Sequence, residues 1–174
     1  TVADPTTFDD ALALLDRFAI TDPPAVIDHL QGGIDETPKP GDPRLAGAEL
    51  RIVARPAASL DAAANVARAA GYDVILLGDS IEGEARDVAR QQAARSRTLS
   101  PGSVLLSGGE VTVTLAGAGR GGPNAEFALA LADELDGAAG IWAMACDTDG
   151  IDGSEDNAGA IVAPDTLERA RSKG

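Results

Sequence analysis

Apolar positions in the first part of the chain recur at three- and four-residue spacing. Phe8, Ala11, Leu12, Leu15 and Phe18 share one face, which predicts a helix over 7–18. Thr7 is placed to cap it, and Asp9 and Asp10 fall in the first turn, where the helix dipole favours negative charge. A shorter helix is predicted from Asp22 as cap and Pro23 as first helical residue to a stop at Gly32. Periodicity then ends at Glu36–Pro43, where Pro38, Pro40 and Pro43 forbid both a helix and a central strand. Residues 1–45 are therefore expected to be a helical segment and Pro-rich linker from a preceding domain.

From residue 46 the pattern alternates between strand-like and helical runs. Leu50–Ala54 predicts a strand, Ser59 caps a helix to about Ala70, and Val74–Leu77 predicts a short strand covered on both faces. Residues 82–96 predict a helix with Glu82 and Glu84 early and Arg86, Arg90 and Arg95 later. Val104–Leu106 and Val111–Leu115, joined by Ser107-Gly108-Gly109-Glu110, predict a β-hairpin and so a mixed sheet. A Gly-rich loop at 117–122 leads to a helix at 123–135, with Phe127, Leu131 and Leu135 facing the core. A strand at Ile141–Ala145, an acidic loop at 147–157, a strand at 159–163 and a helix capped near Asp165 complete the chain. The expectation is α/β, a three-layer α/β/α domain with a mixed sheet over 46–174.

Composition narrows the function classes. Aromatics are only 3% of the 174 residues, so Leu, Val, Ile and Ala must fill the core. A net charge of −14 argues against a nucleic-acid partner, which needs a basic surface. An acidic protein can still bind a small anion through Gly-rich backbone. Cys146 is the only cysteine, so no disulfide can form within the chain. No apolar run approaches the ~20 residues of a membrane span, and no signal peptide is visible. The expectation is a cytoplasmic protein with no membrane partner. The chain begins at Thr1 rather than Met, which favours missing upstream sequence.

Three stretches could carry chemistry. Gly117-Ala118-Gly119-Arg120-Gly121-Gly122 satisfies G-x-G-x-x-G between a strand and a helix. It reads equally as an anion-binding loop or a tight turn. Two features speak against a dinucleotide: the preceding strand is expected to be antiparallel, and no acid stands about 20 residues on, Asp147 lying too far along. Asp147-Thr148-Asp149-Gly150-Ile151-Asp152-Gly153-Ser154-Glu155-Asp156 follows a strand and could hold Mg²⁺, position a hydroxyl or act as base. From the residues alone the favoured reading is a solvated acidic turn, and Ile151 at a ligand position excludes an EF-hand. Ser107–Glu110 reads as a turn. His29, the only histidine, reads as packing or surface, and Cys146 as a small core residue. No catalytic triad or zinc site can be assembled after the linker, which contains no histidine.

Taken together, Leu105–Val113, Gly117–Gly122 with Asn124 and Glu126, and Asp147–Gly153 with Ala158-Gly159-Ala160 resemble the MOFRL family of glycerate 2-kinases, often labelled hydroxypyruvate reductases. Thr1–Phe8, Glu36–Asp42 and Gly78–Ala85 resemble adjoining stretches of the same family. The MOFRL portion is expected at about 101–174. The resemblance implies a protein about twice as long, with two α/β domains, the first Rossmann-like, and an active site between them. It implies transfer of the ATP γ-phosphoryl group to the 2-hydroxyl of D-glycerate, with Mg²⁺ or another divalent cation. A catalytic lysine and the family C-terminus would lie outside this chain, which is expected to be a fragment, inactive alone.

The roles implied are catalytic for Arg120, Asn124, Glu126, Asp147, Asp149 and Asp152, with Asp149 and Asp152 on the metal. Ser107, Gly108, Gly109, Glu110, Gly119, Gly121 and Gly122 would bind the nucleotide. Expected partners are D-glycerate, the absent N-terminal domain and, as an option, a second copy in a homodimer. The family usually has Gly-Gly-Arg-Asn-Gln-Glu where this chain has Gly121-Gly122-Pro123-Asn124-Ala125-Glu126, removing a charged fork. Pro123 suits a first helical position. Arg55-Pro56 likewise replaces a more usual Ser-Asn. Two rivals stand beside the kinase: a nicotinamide-dependent hydroxypyruvate reductase and a catalytically degenerate, non-enzymatic domain.

Overall fold

The structure is a computed structural model that describes residues 2–173. The chain forms two compact units that divide between Val53 and Ala54.

The first unit holds α1 (Phe8–Arg17) and α2 (Pro24–Gly32). A capping box starts α1: the Thr7 hydroxyl accepts from the Asp10 amide at 3.2 Å, and the Asp10 carboxylate accepts from the Thr7 amide at 2.8 Å. The Pro-rich stretch is tied back to this cap. The Phe8 amide donates to Glu36 at 2.9 Å, the Asp4 amide to the Pro38 carbonyl at 2.9 Å, and the Thr37 hydroxyl to Asp4 at 2.9 Å. The rings of His29 and Phe8 lie 5.5 Å apart, so the only histidine is a packing residue here. The expected strand at Leu50–Ala54 does not form. Leu50, Ile52 and Val53 are exposed and without a ladder partner, so β-propensity alone does not make them a strand.

The second unit contains α3 (Pro56–Ala69), β1 (Asp73–Leu76), β2 (Ile81–Glu84), α4 (Ala85–Ser96), β3 (Ser103–Leu106), β4 (Gly109–Thr112), α5 (Pro123–Leu135), β5 (Ala143–Cys146), β6 (Gly159–Val162) and α6 (Thr166–Ser172). Three two-stranded ladders replace the single mixed sheet of the sequence reading: β1–β3 and β2–β4 are parallel, and β5–β6 is antiparallel.

The predicted hairpin is therefore corrected. The chain does not reverse at Ser107-Gly108. It runs on from β3 to β4 alongside the stretch from β1 to β2, with α4 as the crossover that parallel pairing requires. The register separation is 30 residues at Asp73–Ser103 and 28 at Ile81–Gly109. The first stretch thus carries a two-residue bulge, spanned by the bonds Gly108 N–H to Gly78 O (2.9 Å) and Ile81 N–H to Gly108 O (3.0 Å). Residues 82–84, expected to open a helix, belong to β2, because Gly83 sits at φ +129°, outside helical space.

The core is mostly alanine. Ala89 and Ala93 of α4 meet Ala128, Leu131, Ala132 and Leu135 of α5, and Val162 of β6 closes the cluster. Small side chains let the two helices approach closely. Arg97 donates to the last carbonyls of α5, Glu134 and Leu135, at 2.7 and 3.0 Å, satisfying acceptors the helix leaves open. One face of the β5–β6 ribbon lies on α5, while Trp142, Met144 and Ile161 on the other are exposed.

Candidate functional site

The start of α5 is where the Gly-rich loop and the acidic loop meet. Gly122 is the N-cap and Pro123 the first helical residue, as its fixed φ and missing N–H favour. Asp152 reaches the helix from the other loop. Its side chain is fully buried and accepts from the Asn124 amide (2.9 Å), the Asn124 side-chain amide (3.2 Å) and the Ala125 amide (2.7 Å). The two backbone amides are among those a helix leaves without internal partners, and the N-terminal dipole favours a carboxylate there.

The two loops also join through Ser154. The Gly121 amide donates to the Ser154 hydroxyl (3.2 Å), and the Ser154 amide donates to the Gly121 carbonyl (3.2 Å). Arg120, 77% exposed, pairs with Glu155 at 2.7 Å across the outer edge. A β-carbon on Gly153, at φ +69°, would overlap the Gly121 carbonyl.

The expected residues fall into three settings. Arg120, Gly121, Gly122, Asn124 and Asp152 are brought together at the start of α5, Gly119 lies exposed just before them, and the exposed Asp147 and Asp149 precede Asp152 in the same loop. The amides of Gly117–Arg120 make no hydrogen bond to any described residue and stand exposed. Asp149 accepts from the Ile151 amide (3.0 Å) and Asp147 from the Asp149 amide (3.4 Å), each with a single oxygen. Asp152, paired with Asp149 in the metal expectation, has its carboxylate engaged by α5 instead.

Glu126 is held by Arg86 of α4 in an ion pair that raises the guanidinium pKa above its ordinary value, mainly through their hydrogen bond. Ser107, Gly108, Gly109 and Glu110 lie apart in chain and partners, along the bulged parallel pair. Ser107 bonds the Gln92 side chain at 3.1 Å, and Gly108 packs beside Leu60 and Asp79. Sequence reasoning gave Arg86 no role and read Ser154 and Glu155 only as part of the acidic stretch; their partners, Gly121 and Arg120, emerge when the loops fold together. Among the described residues, no group of three or more His, Cys, Asp or Glu could cage a metal.

The unit thus presents exposed amides in the loop before α5 and exposed carboxylates, Asp147 and Asp149, in the loop that carries Asp152. Residues 103–174 match the model of the MOFRL family. The whole chain is 51% identical to a putative hydroxypyruvate reductase of Agrobacterium vitis, covering 41% of that protein. It is 36% identical to a glycerate 2-kinase of Pyrococcus horikoshii, covering 42% of it. Its fold is similar to the crystal structure of a glycerate kinase from Thermotoga maritima, with a TM-score of 0.75, 31% identity, and coverage of 98% of this chain and 41% of that one. The chain thus spans about two-fifths of the length of these relatives.

Proposed function

We propose that the full-length protein is a glycerate 2-kinase, transferring the γ-phosphoryl group of ATP to the 2-hydroxyl of D-glycerate to give 2-phosphoglycerate and ADP. The observation that carries this is the junction of the Gly-rich and acidic loops at the start of α5. Phosphoryl transfer asks for positioning and charge neutralisation rather than covalent chemistry, and a pair of such loops can supply both. The free amides of Gly117–Arg120 and the Arg120 guanidinium receive phosphate oxygens. Asp147 and Asp149 each keep an uncommitted oxygen. That suits Mg²⁺, which needs only one or two carboxylates besides substrate phosphates and water. Such an ion would neutralise phosphate charge. Residues 1–45 serve as part of a preceding, Rossmann-like domain, and residues 46–174 as the α/β domain bearing these loops.

Hydroxypyruvate reduction is the reading that the Agrobacterium vitis relative's name suggests. The strand entering the Gly-rich loop is parallel to its partner, so the objection from an antiparallel strand falls. A stronger one replaces it. In a dinucleotide fold the pyrophosphate sits at the N-terminus of the helix after the glycines, and here the Asp152 carboxylate occupies that place. Two assays on the full-length protein decide: ATP-dependent formation of 2-phosphoglycerate, and NADH oxidation with hydroxypyruvate. The kinase reading expects the first alone; NADH oxidation without phosphorylated product overturns it, and neither activity favours a degenerate domain.

A further inference from the structure

Asp152 is the one buried charged residue among those described, and its carboxylate is engaged by the start of α5. Its position follows from packing. The two carboxylate oxygens face three N–H donors of α5, and Gly122 is so close to the Asp152 backbone that a β-carbon there would overlap its carbonyl. The Asp152 amide in turn donates to the Asn157 carbonyl at 2.8 Å, closing the loop from the other side. Asp147 and Asp149 stand only three to five residues before this anchor, and the Gly117–Arg120 amides shortly before the helix it holds.

We propose that Asp152 is the positioning residue of this site. Through α5 it fixes where the Asp147 and Asp149 carboxylates stand relative to Arg120 and its neighbouring amides, and it is not itself a metal ligand. The inference rests on the kinase reading for its kinetic consequence but not for its structural one. Asn at this position keeps the shape and one acceptor, but its NH₂ would face the Ala125 or Asn124 donors. The loop then loses its seat without a change in volume. Displacing reacting groups by about 1 Å costs on the order of 100-fold in rate.

The test compares Asp152→Asn with Asp149→Asn in the full-length protein, using ATP, D-glycerate and Mg²⁺, with amide hydrogen exchange alongside. Asp152→Asn is expected to lower kcat about 100-fold at saturating substrates, to leave the half-saturating Mg²⁺ concentration unchanged, and to remove exchange protection at Asn124 and Ala125. Asp149→Asn is expected to raise the Mg²⁺ requirement and keep that protection. Recovery of Asp152→Asn activity by added Mg²⁺ would make it a ligand and overturn the proposal, as would wild-type kinetics. If Asp152→Asn does not fold, Ser154→Ala weakens the same junction from its exposed side. Lowered kcat at unchanged Mg²⁺ dependence supports the proposal, and unchanged kcat refutes it. Should the wild-type protein phosphorylate nothing, the kinase reading falls alone, while lost protection in Asp152→Asn still establishes the anchor and retained protection removes it.

Discussion

Gly122 and Asp152 are packed backbone to backbone: a β-carbon on Gly122 would fall on the carbonyl carbon, carbonyl oxygen and Oδ1 of Asp152. Replacing Gly122 with Ala therefore requires the two loops to part, and we expect a destabilisation of about 1–3 kcal/mol with loss of activity. Gly117 in the same loop has nothing near its β-position. Gly117→Ala is expected to stay within about 0.5 kcal/mol of wild type. Thermal melts of the two full-length variants check the pair, and equal melting temperatures would contradict the packing described.

Ala89 of α4 is fully buried against α5. Ala89→Leu inserts three carbons where no space exists, and the expected cost is about 1–3 kcal/mol or more. Urea unfolding reads it. A variant as stable as wild type would mean that the helices are further apart than the structure places them.

Asp136 ends α5 in the left-handed region, at φ 43° and ψ 50°, with its amide bonded to the Ala132 carbonyl. A residue with a β-carbon is strained there, and its carboxylate adds negative charge at the negative end of the dipole. Asp136→Gly is expected to stabilise by about 0.5 kcal/mol, the relief being partly offset by glycine's unfolded-state entropy. Lower stability in a thermal melt would contradict this account of the cap.

Acid should loosen the first unit. Glu36 is held below its ordinary pKa by the Lys39 side chain and then by the Phe8 amide, and Asp10 by the Thr7 hydroxyl and then the Thr7 amide. Asp4 is lowered by the Thr6 hydroxyl, with the Thr6 amide and Thr37 adding to it. Carboxylates depressed in the folded state stabilise it above their unfolded pKa and lose that contribution as pH falls through the folded value. The window therefore lies below about pH 4. Amide exchange at Phe8 is expected to rise from pH 5 to pH 3 beyond its intrinsic change, and less so in Glu36→Gln. Protection unchanged by pH in the wild type would contradict the assignment.

Local signals read best where the structure is local. Thr7 with Asp10 announces the start of α1, and Pro123 with Leu131 and Leu135 announces α5. Pairing between distant strands was not legible. Ser107-Gly108 between two apolar runs fits a hairpin as well as a straight passage, and only the partner strand at 73–84 decides. Gly83 between two glutamates broke a helical pattern that looked continuous. In the acidic loop, Asp147, Asp149 and Asp152 are chemically alike in sequence. Burial of one and exposure of the other two comes from how closely glycines at 121, 122 and 153 let the loops approach.

The most direct measurement is calorimetric titration of the full-length protein, and of its Arg120→Ala and Asp149→Ala variants, with a non-hydrolysable ATP analogue in the presence of Mg²⁺ and D-glycerate. Each variant is expected to bind the analogue at least about tenfold more weakly, the loss of one charge-assisted contact. If both bind it as tightly as the wild type, the loops at the start of α5 are not where the nucleotide is held.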